Sequence, residues 1–130
     1  MDASKNCLKG DIIEESLDNP DILKRLHIIS TRVEQTTLEH RTPWLSRWTL
    51  REVSIPEHEA QGVAEELSRC LDRGHGGSWY ADFKNDSVHY VIYVDKVFRL
   101  DRKSEEQYEE VRRYGISLGI PEHQLVVFGR

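Results

Sequence analysis

The segment from residue 78 to 101, SWYADFKNDSVHYVIYVDKVFRLD, constrains the fold of this 130-residue chain more than any other. Aromatic and β-branched residues alternate there with polar ones, which is typical of β-strands. Asn85-Asp86 and Asp95-Lys96 interrupt the alternation, and Asn and Asp tolerate the positive φ angles of two-residue hairpin turns. The segment therefore predicts a three-stranded antiparallel meander that reverses at these two pairs.

Counting outward from the two turns gives a register for the meander. Asp82 is then opposite His89, and Tyr80 is opposite Val91, on one side of the sheet. Apolar residues point to both sides of the middle strand, so we expect both faces of the sheet to be at least partly covered. Helices on one face and a second protomer on the other, in a homodimer, would provide that cover.

Two helices are predicted from apolar periodicity and end signals. Apolar residues recur at helical spacing over 57–73, and Gly74 is a natural residue to end that helix. Ser104 and Gln107 have the spacing of a capping box and begin a second helix at 104–118.

Residues 27–37 and 48–55 are rich in β-branched side chains and predict two further strands. In the second of these strands the apolar positions change parity near Arg51 and Glu52. That change indicates a bulge, a sharp twist or a strand with both faces buried, because strand side chains alternate strictly. We also interpret residues 10–17 as a short strand.

A chain of this length is one domain by default. We predict an α+β domain at residues 10–130, preceded by a flexible leader at residues 1–9. In this domain a mostly antiparallel sheet, including the meander at about 78–101, packs against the helices at about 57–73 and 104–118.

Composition excludes some classes of function. With 18 basic and 23 acidic side chains the net charge is -5, which argues against duplex nucleic acid or an anionic membrane as partner. The chain has no apolar run of the roughly 18 residues that a membrane span needs, and MDASKNCLKG lacks the features of a secretory signal. We therefore expect a cytoplasmic protein.

Metal and redox sites are not predicted. Cys7 and Cys70 form no C-x-x-C unit, and we expect both to be thiols. The six histidines include no H-x-H or H-x-x-x-H spacing, so neither a metal site nor a cofactor is expected.

The segment RTPWLSRWTL, residues 41–50, sets Trp44 and Trp48 among arginines, including Arg41 and Arg47. Flat indole rings beside positive charge can stack on a base, a sugar or a quaternary amine. Burial in the core is the alternative for Trp48, because its parity matches that of a strand face and a tryptophan buries a large apolar area.

The pairing of Asp82 with His89 is a candidate for acid/base chemistry. A carboxylate that binds one imidazole nitrogen leaves the other as a general base. An exposed cross-strand charge pair explains the same residues more simply. Nearby, RGHGGSW at residues 73–79 follows a predicted helix, so its glycines favour a flexible connector over a phosphate loop, and a lid beside His75 is an alternative.

The combination of IIEESL, TPWLSRWTL, WYADFKND and YGISLGIP resembles a family of small prokaryotic single-domain proteins with no assigned activity. The resemblance covers about residues 11–125 and implies a free-standing domain. It implies no catalytic residue, since none is assigned in that family.

Our preferred hypothesis is a non-catalytic domain that binds a small ligand or a protein partner. An acid/base enzyme or hydrolase using His89 and Asp82 is the first alternative, and a single-stranded nucleic-acid binder using Trp44 and Trp48 is the second. The candidate ligand-binding residues are Arg41, Trp44, Arg47, Trp48, His75, Tyr80, Asp82 and His89.

Overall fold

The structure is a computed structural model that describes residues 7–75 and 78–130. Within these residues the predicted α+β class is confirmed, because one antiparallel sheet packs against two main helices. The strands run in the order β2-β3-β1-β4-β5-β6. The elements are β1 (Leu8–Ile13), β2 (His27–Gln35), β3 (Arg47–Ile55), α1 (Glu57–Cys70), β4 (Tyr80–Lys84), β5 (Val88–Tyr93), β6 (Lys96–Asp101) and α2 (Glu105–Ser117).

The first strand begins inside the segment that we expected to be a leader. Leu8 is fully buried and pairs with Ile55 of β3, so it belongs to the sheet. Residues 1–6 of the expected leader lie outside the described residues.

The two helices lie on opposite faces of the sheet. Ile92 of β5 points into a core that α1 closes with Ala64 and Leu67. Its neighbour Val91 points to the other face, into a second core that α2 closes with Tyr108. Both faces of the meander are therefore covered within one chain, and a second protomer is not needed to cover them.

The meander is present, but its first register differs from the predicted one by two residues. Asp82 is opposite Val91 and Tyr80 is opposite Tyr93. The reversal runs from Asn85 to Val88, because the Asn85 side chain accepts the N–H of Val88 at 2.8 Å and so occupies the first turn position.

The second register is displaced by two residues for a tertiary reason. Tyr93 pairs with Lys96, so Val94 and Asp95 form the turn and Lys96 is in β6. Asp95 has a φ of 57°, and its N–H donates to the carbonyl of Ser68 on α1 at 3.0 Å. Because strand side chains alternate with a period of two, both displacements leave every side chain on its predicted face.

The parity change in β3 reflects burial on both of its faces. Leu50 is buried on one face, and Val53 and Ile55 are buried on the other. The bulge lies in the neighbouring edge strand β2, between Ile28 and Ser30.

Helix α1 ends at Cys70, three residues before the predicted end at 73. Leu71 is extended and forms a bridge with Leu17, and the N–H of Asp72 donates to the carbonyl of Ser16 at 2.7 Å. These long-range bonds replace the last helical turn, so Gly74 does not end the helix. Helix α2 matches its prediction, with the Ser104 side chain accepting the N–H of Gln107.

Neither helix in the described part of the chain has the length and apolar character needed to cross a membrane. Cys7 and Cys70, both among the described residues, are not joined by a disulfide.

Candidate functional site

Two adjoining cavities, each of about 260 Å³, lie on the sheet face that carries Asp82. They share four lining residues, Trp48, Ser78, Trp79 and Gln124, and we call them together the aromatic groove.

Each cavity has its own set of polar groups. The sheet-side cavity adds Asp11, Tyr80 and Asp82 to the shared residues. The loop-side cavity adds His40, Arg41, Trp44 and His75. Helix α2 packs over β5 and β6 on this face, and the sheet-side cavity lies beside it on side chains of β1, β3 and β4.

The walls of the loop-side cavity are built from stacked rings. Trp44 and His75 are parallel, with ring centroids 3.8 Å apart and an interplanar angle of 5°. Trp79 contacts Trp44 edge-on at 6.4 Å and Trp48 at 5.5 Å. Because aromatic rings prefer offset-stacked and edge-to-face contacts, the cluster is internally stable while Trp44 remains 43% exposed.

Asp72 holds the ring cluster from below. Its carboxylate binds His75 Nδ1 at 2.5 Å and accepts the Gly74 N–H at 2.8 Å, and Trp79 Nε1 lies at 3.4 Å. Burial raises the pKa of Asp72, but these hydrogen bonds outweigh burial, and the pKa lies below its ordinary value. The ionised carboxylate therefore orients the His75 ring that stacks on Trp44.

The other side of the loop-side cavity is fixed by Trp48 and Gln124. Trp48 Nε1 donates to Thr42 Oγ1 at 2.9 Å, and the His40 ring contacts the Trp48 ring edge-on at 4.4 Å. The Gln124 amide donates to the Glu39 carbonyl at 2.9 Å, which ties the loop before β3 to the C-terminal segment.

In the sheet-side cavity Asp82 presents a partly exposed carboxylate. Its Oδ2 binds His89 Nε2 at 2.7 Å, whereas Oδ1 accepts no hydrogen bond from the described part of the chain. The Asp82 side chain is 31% exposed. One oxygen is thus held in place and the other is available to a ligand.

His89 lies behind Asp82 and not in the groove. Its side chain is 2% exposed, and its Nδ1 lies 2.8 Å from the hydroxyl of Tyr108. An ionised carboxylate only accepts, so Nε2–H donates to Asp82, and the neutral ring satisfies both contacts when Tyr108 donates to Nδ1. Both ring nitrogens are therefore occupied.

Tyr80 and Asp11 complete the sheet-side cavity. The Tyr80 hydroxyl donates to the Gln124 carbonyl, and burial, followed by the charge of Asp82, raises the pKa of Tyr80. Asp11 Oδ2 accepts from Arg32 at 2.8 Å. Asp11 and Asp82 are each two residues from the paired Lys9 and Lys84, so two carboxylates lie on neighbouring strands beside the same cavity.

Sequence reasoning placed most of its candidate residues around this groove. Six of the eight line it: Arg41, Trp44, Trp48, His75, Tyr80 and Asp82. Arg47 is exposed at the start of β3, opposite Gln35, and is not among the lining residues. His89 contacts Asp82 from the buried side.

Three groove residues were missed. Trp79 had been assigned to a meander strand, Asp72 to the polar face of a helix, and Gln124 to no element. The available signal was the spacing of Asp72 and His75, because a carboxylate three residues before a histidine can fold back onto it. Gly76 and Gly77 of the predicted connector lie outside the described residues.

A larger polar depression, of about 470 Å³, lies beside Lys9 and Asn85. Two of its cations are engaged, since Lys84 and Arg102 both donate to the carbonyl of Arg130. Among the described residues no group of three or more His, Cys, Asp or Glu side chains is arranged to hold a metal ion.

Comparisons with protein-family models, with curated proteins and with solved structures found no match to this chain.

Proposed function

We propose that this protein is a small non-catalytic domain that binds a small ligand in the aromatic groove. The observation that carries the proposal is the convergence of all three tryptophans on two adjoining cavities. We also propose a cytoplasmic location, on the basis of the composition.

The physical support is the balance of apolar and polar walls. Ligand sites are concave, mostly apolar and carry a few placed polar groups. Here indole rings supply the apolar surface, and Asp82, Arg41 and His75 are the polar groups. Because Asp72 and Thr42 already hold the rings by hydrogen bonds, a ligand would lose little free energy to ordering the site.

The contacts of His89 favour binding over acid/base catalysis. A general base must reach the proton that it abstracts, either directly or through one water. His89 is buried, with one nitrogen bound to Asp82 and the other to Tyr108. Ser78, the hydroxyl in the groove wall, donates to the Leu118 carbonyl. Neither residue therefore supports the enzyme alternative.

The charges around the groove argue against single-stranded nucleic acid. A phosphate chain needs a positive track beside its stacking rings. Arg47 lies outside the groove, and Asp11 and Asp82 line it beside Trp48.

Titration of tryptophan fluorescence with a panel of small metabolites tests the proposal, with isothermal calorimetry as the second readout. We expect at least one ligand to change the emission and to bind Trp44→Ala at least about tenfold more weakly, because Trp44 is a partly exposed loop residue whose loss removes stacking area. Arg47→Ala is the control and keeps wild-type affinity. A ligand that binds Trp44→Ala and the wild type equally well would place its site elsewhere.

A further inference from the structure

We infer that the ligand of the aromatic groove is an organic cation, an amine or a quaternary ammonium group attached to a planar or apolar body. This inference rests on the proposed function. Its basis is the combination of a carboxylate with an available oxygen and indole rings in one cavity.

The charge of Asp82 is the first step. His89 fixes Oδ2, and the neutral tautomer of His89 satisfies both of its own contacts. The carboxylate therefore keeps its negative charge in a partly buried position. A cation can bind the remaining oxygen, and charge-assisted hydrogen bonds are stronger than neutral ones.

The second step is the rest of the sheet-side cavity. Trp48, Trp79 and Tyr80 line it beside Asp82, and aromatic faces attract ammonium groups through their quadrupoles. The other carboxylate, Asp11, has its Oδ2 bound by Arg32, so it adds little charge of its own. The cavity thus offers one carboxylate and an aromatic wall to a single positive group.

The third step is the extension into the loop-side cavity. The Trp44–His75 stack lies across the shared wall of Trp48 and Trp79. A planar group attached to the cation can reach this stack, and offset stacking adds to its burial.

Three probes of one skeleton test the charge: phenethylammonium, 2-phenylethanol and 3-phenylpropionate, measured by calorimetry with the full chain. We expect phenethylammonium to bind at least about tenfold more tightly than 3-phenylpropionate, with the alcohol between them. Asp82→Asn should remove this preference. Asp21→Asn, which changes the net charge equally at an exposed position outside the groove, should keep it.

The outcomes separate the two proposals. Equal binding of the three probes, failure of phenethylammonium to bind, or an unchanged preference in Asp82→Asn overturns the cation inference. In each case a metabolite whose affinity depends on Trp44 still supports the groove as a binding site. If no bound compound depends on Trp44, the proposed function itself is overturned.

A second observation, independent of the groove, concerns strand β2. It is the edge of the sheet, and its apolar side chains are exposed: Ile28 by 37%, Ile29 by 44% and Val33 by 53%. A long exposed apolar edge is a template for pairing with another strand. The geometry points to a second copy of this chain, whose own β2 pairs with it in antiparallel fashion.

The backbone determines which registers are available. The N–H of Thr36 donates to the Ser46 carbonyl, so the even-numbered groups nearby point towards β3. The N–H and C=O groups of Thr31, Val33 and Gln35 therefore point outward, because these directions alternate along an antiparallel strand.

Charge selects one register. With a two-fold axis at Val33, Arg32 of each copy lies opposite Glu34 of the other. An axis at residue 32 or 34 would instead place Arg32 opposite Arg32, or Glu34 opposite Glu34, and like charges directly opposite each other are destabilising. The axis at Val33 also brings Leu38, which is 93% exposed, towards Ile28 of the second copy.

Light scattering over a concentration series tests this pairing. We expect a dimer whose dissociation constant rises by about tenfold in Arg32→Glu and in Glu34→Arg, since each creates two like-charge pairs, and returns towards wild type in the double variant. Arg47→Glu, on β3 opposite Gln35, is the control for charge reversal and leaves the dimer unchanged. A monomer at every concentration, or a double variant weaker than both single variants, overturns this register.

Discussion

Replacing Gly10 by alanine should separate the two halves of the sheet. Gly10 is on β1, which pairs with β4 at Lys9 and Lys84 and so joins β2-β3-β1 to β4-β5-β6. A Cβ at position 10 would meet the Asp82 carbonyl oxygen and lie 2.7 Å from Phe83 Cα. Both are backbone atoms, so no side-chain rotation relieves the contact.

The size of the effect follows from the required movement. Ordinary van der Waals contact for a Cβ begins at 3.4 Å, so the two strands must separate by at least about 0.7 Å. Overpacking of a close-packed interior costs about 3 kcal/mol at the upper end of its usual range. For a domain of this size, that loss corresponds to a fall in Tm of about 10 °C.

Gly62→Ala is the matched control, because it makes the same chemical change with the opposite expected sign. Gly62 is on α1, and a Cβ there meets nothing within 4 Å. Alanine in a helix interior is more stable than glycine by about 0.5 to 1 kcal/mol. Thermal unfolding by circular dichroism and urea titration measure both variants. A Gly10→Ala protein with the wild-type Tm would refute the close approach of β1 and β4.

Three further predictions concern single side chains. His89→Leu should lower the free energy of unfolding by about 2 kcal/mol, because it removes both hydrogen bonds of a buried imidazole; a urea midpoint equal to that of the wild type would contradict this. Tyr93→Phe should cost about 1 kcal/mol by the same measurement, since the buried Tyr93 hydroxyl donates to the Val111 carbonyl at 2.9 Å. The pKa of Asp72 is lowered in the fold, so its contribution to stability is complete above the unfolded pKa, near pH 4, and is lost as pH falls through the folded pKa. Wild type and Asp72→Asn should therefore differ most in Tm above that pH and converge in acid, and a constant difference down to low pH would count against the ionised carboxylate.

Local periodicity predicted the elements and the faces of this protein. The alternation in the meander placed Asp82 and His89 on one face, and they are in contact even though the register differs by two residues. The register itself depended on contacts that a two-residue turn rule ignores. Asn85 binds the backbone of its own turn through its side chain, and Asp95 binds the carbonyl of Ser68 on α1.

The groove was only partly predictable, for a related reason. Trp44 and Trp48 were recognised because they are close in sequence and flanked by arginines. Trp79 joins them only in the folded chain, where its ring lies 5.5 Å from that of Trp48. Arg47 shares their local sequence but extends from the strand away from the cavity walls.

By itself, the sequence determined an α+β chain, its antiparallel meander, its two helices and the face on which each strand side chain lies, because the periods of helices and strands are properties of neighbouring residues. The tertiary structure alone decided that β1 lies between β3 and β4, and this position brings Asp11 near Asp82 and places both beside the tryptophans. Strand order depends on which distant faces bury each other and on the entropy of closing the loops between them, and no local period records either quantity.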